Sequence, residues 1–241
     1  MNKILETLEA EREELADWRH DFHMHPELGL EETRTAGIVA QKLRSWGIEV
    51  TEHVGVTGVV GVINGDLGPG RSIGLRCDMD ALPITECSSQ SWKSTVKGKM
   101  HACGHDGHTT MLLAAARYLS QHRNFRGRVV LVFQPAEEGV RGAAAMAASG
   151  IVDDADFFLG AHIAMMCKSG EISVNPYGFL CTTKMDVTYT GRPAHAGVEP
   201  NAGRNAMAAA CNAFVQLLGI ARHGSGMTRI NVGQLNAGEG R

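Results

Sequence analysis

The chain has 241 residues, 44% of them hydrophobic and 20% charged, with a formal net charge of −3. That is enough apolar material for one large or two small domains. The near balance of charge, with no long run of Lys or Arg, argues against a nucleic-acid groove or an anionic membrane surface and leaves a small molecule or a second copy as the expected partner.

The amino-terminal run M-N-K-I-L-E-T-L-E-A-E-R-E-E-L is interrupted by acids every few positions and lacks an h-region and cleavage site, so it is not read as a signal peptide. No apolar stretch approaches the length of a membrane span. The six cysteines (77, 87, 103, 167, 181 and 211) show no paired spacing, which suits a reduced, cytoplasmic protein.

Ile4, Leu8, Leu15, Trp18 and Phe22 recur at roughly helical spacing and predict an amphipathic helix over the first two dozen residues. A second helix is expected from about Glu31 to Trp46, stopped by Gly47. Val59–Ile63 is a β-branched run closed by Asn64-Gly65, a hairpin-type turn signal. Ile73–Arg76, Val129–Phe133 and Phe157–Gly160 are apolar runs of strand length, separated by alanine-rich helical stretches at Thr109–Leu119 and Gly142–Ser149. Strands buried on both faces and alternating with helices predict an α/β fold with a mostly parallel, doubly wound sheet over residues 1–183. From 184 the texture changes. Lys184–Thr190 alternates like a half-exposed strand, a long helix is expected from about Arg204 to Arg222, and T-R-I-N-V-G-Q-L reads as another strand. Residues 184–241 are therefore expected to begin a smaller α+β domain, which reaches Gly240-Arg241 without a closing element.

Ligands of open α/β sheets bind at the carboxyl ends of strands, and four polar clusters fall at such places. In R-C-D-M-D-A-L-P, Asp78 and Asp80 leave an apolar strand, an arrangement that an ordinary Asx turn also produces. In M-H-A-C-G-H-D-G-H, one thiol and three imidazoles lie within eight residues at the start of a helix. Imidazole and thiolate suit a borderline transition metal, and a helix N-terminus favours the thiolate. The competing reading is a buried Cys among surface histidines. Asp106 suits the task of gripping a ligand imidazole. In F-Q-P-A-E-E-G, neighbouring acids at a buried strand end need a cation or a proton. Neighbours in an extended segment diverge, so one can bind metal while the other faces the reacting water, unless both are solvated acids capping the next helix. Finally, Gly160-Ala161-His162 ends a fourth strand; alone, such a His is an ordinary core residue, and only the company of the other clusters makes it a ligand.

These motifs, with the early W-R-H-D-F-H-M-H-P-E-L-G-L-E-E-T-R-T-A, resemble the metal-dependent amidohydrolases that include aminoacylase-like, hippurate and indole-acetyl-amino-acid hydrolases. Q-P-A-E-E-G-V-R-G-A, G-I-V-D-D-A-D-F-F, T-T-K-M-D-V-T-Y-T-G-R-P-A-H-A-G and R-I-N-V-G-Q-L look most like the branch formed by the A-type subunits of aminobenzoyl-glutamate hydrolase. The resemblance implies a zinc-peptidase-like catalytic domain in which Cys103, His105, Glu138 and His162 hold one or two Zn²⁺ or Mn²⁺ ions. It further implies Glu137 as general base, and Asp78 and Asp80 as residues supporting the ligands. The smaller domain would be a lid that also forms a homodimer or pairs with a related subunit, and its His195 would reach the active site. The substrates so implied are N-acyl or N-aroyl amino acids.

The family has a further His ligand near the end of longer chains. This sequence stops before it, and the polypeptide by itself is expected to be poorly stable and weakly active or inactive. A Cys103-nucleophile hydrolase and a truncated, non-catalytic metal-binding or dimerisation module are the rival readings.

Overall fold

The computed structural model describes residues 3–139, 141–164, 167–174 and 181–238; Gly240-Arg241, where no closing element is expected, lie outside them. The chain divides into two compact units, 1–168 and 169–241. In the first, chain order runs α1 (Lys3–Ala10), α2 (Arg12–Met24), α3 (Thr33–Ser45), β1 (Glu49–Val54), β2 (Gly58–Asn64), β3 (Ser72–Asp78), α4 (His105–Gln121), β4 (Arg128–Gln134), α5 (Gly142–Ala148) and β5 (Phe157–Gly160).

The strands form one sheet in the order β1-β2-β4-β3-β5. The α/β class is as expected, and the sheet is mixed. β3 runs parallel to β4 and β5, whereas β2 runs antiparallel to β1 and β4. β4 sits at the centre, which explains its unbroken V-V-L-V-F. Val129, Leu131 and Phe133 face a core with Phe22, Val39, Leu43 and Leu113. Val130 and Val132 face the other side, with Val54, Val60 and Met146 of α5. A strand covered on both faces cannot alternate in polarity.

Several expectations are corrected. The first helix is two, interrupted at Glu11, whose carboxylate accepts from Arg117 on α4 at 2.6 Å while Glu14 accepts from the same guanidinium at 2.8 Å. Asn64-Gly65 closes no hairpin to β3: the Gly65 amide donates to Gly127 O at 2.9 Å, and a Cβ at Gly65 would lie 2.1 Å from Phe125 O. The hairpin partner of β2 is instead β1, whose alternating exposure follows from its place at the sheet edge. β5 is not buried on both faces. Among the described residues it pairs only with β3, and it leaves Phe157 and Leu159 exposed.

In the second unit, α6 (Ala206–Leu218) starts at Asn205, whose side chain accepts from the Ala208 amide at 3.0 Å. The strands expected over 184–190 and 228–235 are not formed. Alternation alone makes no strand without a paired neighbour, and the apolar Met185, Val187 and Ile230 stay exposed. No helix among the described residues is long and apolar enough to cross a membrane.

Truncating Leu131, fully buried at the centre of β4, removes contacts that the packed strand cannot replace. Leu131→Ala is expected to lower unfolding free energy by about 2–5 kcal/mol in urea titration; a loss under about 1 kcal/mol would mean that this layer is not the core.

Candidate metal centre

Because β3, β4 and β5 are parallel, their carboxyl ends share one edge of the sheet. β3 ends in Asp78 and leads to Asp80, β4 leads to Glu137-Glu138, and β5 leads to His162. Cys103 and His105 arrive at the same edge from the start of α4. Gly104 between them adopts φ +89°, a left-handed turn that glycine makes without strain.

Donor atoms of Cys103, His105 and His162 lie within 4.8 Å of one another, and so do those of His105, Glu137 and Glu138. Cys103 Sγ stands 3.5 Å from His162 Nε2, and His105 Nε2 stands 4.0 Å from Glu138 Oε1. The hydrogen bonds orient the imidazoles. His105 Nδ1 donates to the Asp80 carbonyl at 2.8 Å, with the Asp80 carboxylate at 3.2 Å, and His162 Nδ1 donates to Ile163 O at 2.7 Å. Each therefore turns Nε2 towards the cluster. His105 Nε2 is fully buried and meets no hydrogen-bond partner among the described residues. A buried nitrogen without a partner is costly, so this atom marks where a cation fits.

His108 is different. Its Nδ1 bonds Asp78 at 2.6 Å and its Nε2 accepts the Ile163 amide at 2.9 Å, so both ring nitrogens are occupied. It supports the turn that carries His162. Asp78 also accepts from Arg76 at 2.6 Å, and Asp80 accepts the Glu138 amide at 2.9 Å. Asp106 corrects an expectation. Its carboxylate bonds His23 at 2.9 Å and Arg19 at 3.1 Å, and it is Asp80 that grips His105. Successive helical side chains diverge by about 100°, so Asp106 faces α2 while His105 faces the strand ends.

Burial opposes the charged form of Asp78, but the hydrogen bond from His108, with His105 and Arg76 nearby, brings its pKa down to about 2. Burial likewise opposes charge on His105, yet Asp80 and Asp78 raise its pKa. Burial, the hydrogen bond with Glu138 and the charges of Glu138, Asp78 and Glu137 push the Cys103 thiol up to about 12. The helix N-terminus therefore does not hold a thiolate unaided, because burial and nearby carboxylates outweigh it. A thiol, two imidazoles and carboxylates that together favour positive charge are a fitting donor set for a borderline divalent ion.

Residues 74–232 match the model of peptidase family M20/M25/M40. The chain belongs to this family. Among M20 relatives, it is 41% identical to a Haemophilus influenzae homolog of the A-type subunit of p-aminobenzoyl-glutamate hydrolase, over 95% of this chain and 64% of that protein. It is 37% identical to the indole-3-acetyl-aspartic acid hydrolase of Enterobacter agglomerans, over 95% of this chain and 63% of that protein. The chain thus spans somewhat under two thirds of these relatives. An aminobenzoyl-glutamate utilization protein from Klebsiella pneumoniae superposes with a TM-score of 0.73 at 31% identity, over 99% of this chain and 66% of that one. A Bacillus subtilis M20 protein described as a dinuclear metal binding peptidase gives 0.61 at 37% identity, over 64% and 43%.

The remaining site residue expected from the sequence, His195, lies in the second unit of this M20 chain. It is exposed, and its Nδ1 accepts the Gly197 amide at 3.1 Å, which leaves Nε2–H as a donor to solvent. Sequence reasoning missed Glu32, Arg76 and the bracing role of His108. Nothing in the run L-E-E-T-R-T-A marks Glu32 as fully buried.

Behind the cluster, the hydrogen bond to Asp106 raises the pKa of His23 against the opposition of burial, with Glu86 adding to the rise. A raised folded-state pKa contributes stability that is complete below the unfolded value of about 6.5 and disappears as pH climbs through the folded value. His23→Gln should therefore cost on the order of 1–3 kcal/mol near pH ~6 and progressively less towards pH ~9. Chemical denaturation at several pH values checks this, and a penalty independent of pH would show that His23 does not carry charge in the fold.

Proposed function

We propose that this M20 chain carries the centre of a metal-dependent amidohydrolase that cleaves the amide bond of N-acyl or N-aroyl amino acids, aminobenzoyl-glutamate among them. One observation supports it above others: the buried, unpartnered Nε2 of His105 faces donors that come from separate strand ends. Cys103, His105, Glu138 and His162 would hold one or two ions of Zn²⁺ or Mn²⁺. Such an ion lowers the pKa of a water and polarises a carbonyl.

The protein's own residues supply the rest. Glu137 is exposed beside Glu138, and a carboxylate oxygen of it lies within 4.8 Å of donor atoms of His105 and Glu138. It takes the proton of the attacking water and hands it to the departing amine. Asp80 fixes the His105 ring and the Glu138 amide together, so the imidazole and the loop keep a common register. Residues 184–241 act as the lid and dimerisation domain, and the Nε2–H of His195 donates to the developing oxyanion. Six free cysteines suit a reducing, cytoplasmic setting. The Cys-nucleophile reading loses ground, because a thiol pushed up to about 12 is the reverse of an activated nucleophile.

In a chain that spans its relatives' full length, Glu137→Gln should keep its metal while amide hydrolysis falls by about 10²–10⁴-fold. Cys103→Ala and His105→Ala should lose the metal itself. Elemental analysis and a panel of N-acyl and N-aroyl amino acids read both effects. Near-full turnover in Glu137→Gln would remove Glu137 from its role, and hydrolysis that survives a strong chelator would remove the metal.

A further inference from the structure

The loop that carries Glu137 and Glu138 contains a conformation that its own sequence disfavours. Ala136, immediately before the two acids, has φ +52°. A left-handed residue with a Cβ costs roughly 1–2 kcal/mol, so something outside the loop must hold it there. The Ala136 carbonyl accepts the Gly142 amide at 3.1 Å, and a Cβ at Gly142 would lie 1.9 Å from Pro135 O. The Ala136 amide donates to Glu32 Oε1 at 2.8 Å, from a segment 104 residues earlier. The other oxygen of Glu32 accepts the Thr57 hydroxyl at 2.6 Å. Glu32 is completely buried, at 0% exposure. A buried carboxylate is too costly to keep as filler.

We propose that Glu32 is a positioning residue of this centre: it clamps the Ala136 amide and so sets the direction in which Glu138 and Glu137 leave the end of β4. Asp80 pins the next part of the same loop through the Glu138 amide. The loop is thus held by two carboxylates from different segments, one on each side of Glu137. The segment bearing Glu32 is itself anchored. The Glu27 carboxylate caps α3 by accepting the Arg34 amide at 2.9 Å and the Thr35 amide at 2.8 Å, and the Ala81 amide donates to Glu27 O at 2.8 Å. One short stretch therefore joins the ends of β3 and β4. The inference rests on the proposed roles of Glu138 and Glu137.

The test uses the chain with Co²⁺ as probe and amide hydrogen exchange as a readout that needs no metal. E32A leaves the Ala136 amide and the Thr57 hydroxyl without their partner. It should speed exchange over residues 136–138 by roughly tenfold, weaken Co²⁺ binding by roughly 10–100-fold, and alter the thiolate-to-cobalt absorption band. T57V, which removes only the second bond, should leave the band and the affinity near those of the unsubstituted chain. E32Q, of equal length and still able to accept the Ala136 amide, should restore both. If E32A does not fold, E32D and E32Q decide: E32D, one methylene short, should show the weakened binding that E32Q does not. A folded E32A or E32D with unchanged exchange and an unchanged band would overturn the clamp, as would T57V behaving like E32A. Absence of a thiolate-to-cobalt band in the unsubstituted chain would instead bring down the metal-site reading, while the exchange data still judge Glu32.

Discussion

Carboxylates, a half-buried thiol and a fully buried imidazole meet at one end of the sheet, and their mutual electrostatics dominate this part of the molecule. Asp78 keeps its charge against burial because His108, His105 and Arg76 face it, and Asp80 because His105 and the Glu138 and Glu137 amides do. Burial together with the same negative field raises the Cys103 pKa, and that field draws positive charge towards His105. An assembly of this kind is unfavourable without a cation and well matched to one, since each group that repels its neighbours is also a donor. The surrounding architecture reads most simply as the scaffold that keeps those donors together.

That scaffold works through parallel strands. Three neighbouring strands running the same way bring their carboxyl ends to one edge, so residues from three distant segments arrive within a few ångströms without long loops. The antiparallel pair β1 and β2 contributes no donor. It extends the sheet and supplies Thr57, at the turn between the two strands, as a partner for Glu32. The supporting groups are charged side chains with at least two partners apiece: Asp78 between Arg76 and His108, Asp80 between His105 and the Glu138 amide, Glu32 between Thr57 and the Ala136 amide.

What the sequence shows and what it hides differ for physical reasons. Central strands such as V-V-L-V-F are legible because burial on both faces forbids polar residues. The strand-end clusters are legible because thiol, imidazole and acid rarely gather without chemical cause. Edge strands are not. β1 reads as E-V-T-E-H-V, too polar to stand out, whereas Lys184–Thr190 alternates well and yet forms no strand. Which face a side chain takes is equally hidden. Asp106 has the chemistry of a partner for a ligand imidazole, but one step along the helix turns it to His23. Glu32 is invisible in the sequence because its burial depends on loops 25 and 104 residues away.

The donors are not equally well supported. His105 is buried and gripped by Asp80, and the Glu138 amide is held by the same carboxylate. His162 follows β5, an edge strand with exposed Phe157 and Leu159, and is itself exposed. Its local restraints are the Ile163 carbonyl on its own ring and His108 on the Ile163 amide. An ion shared by these side chains would thus tie the least anchored strand end to the most anchored one. By linkage, whatever free energy the ion gains from His162 is also free energy that orders the end of β5. Metal affinity and the integrity of that sheet edge would then be one equilibrium seen from two sides, and His108 already touches both Asp78 and the turn of His162.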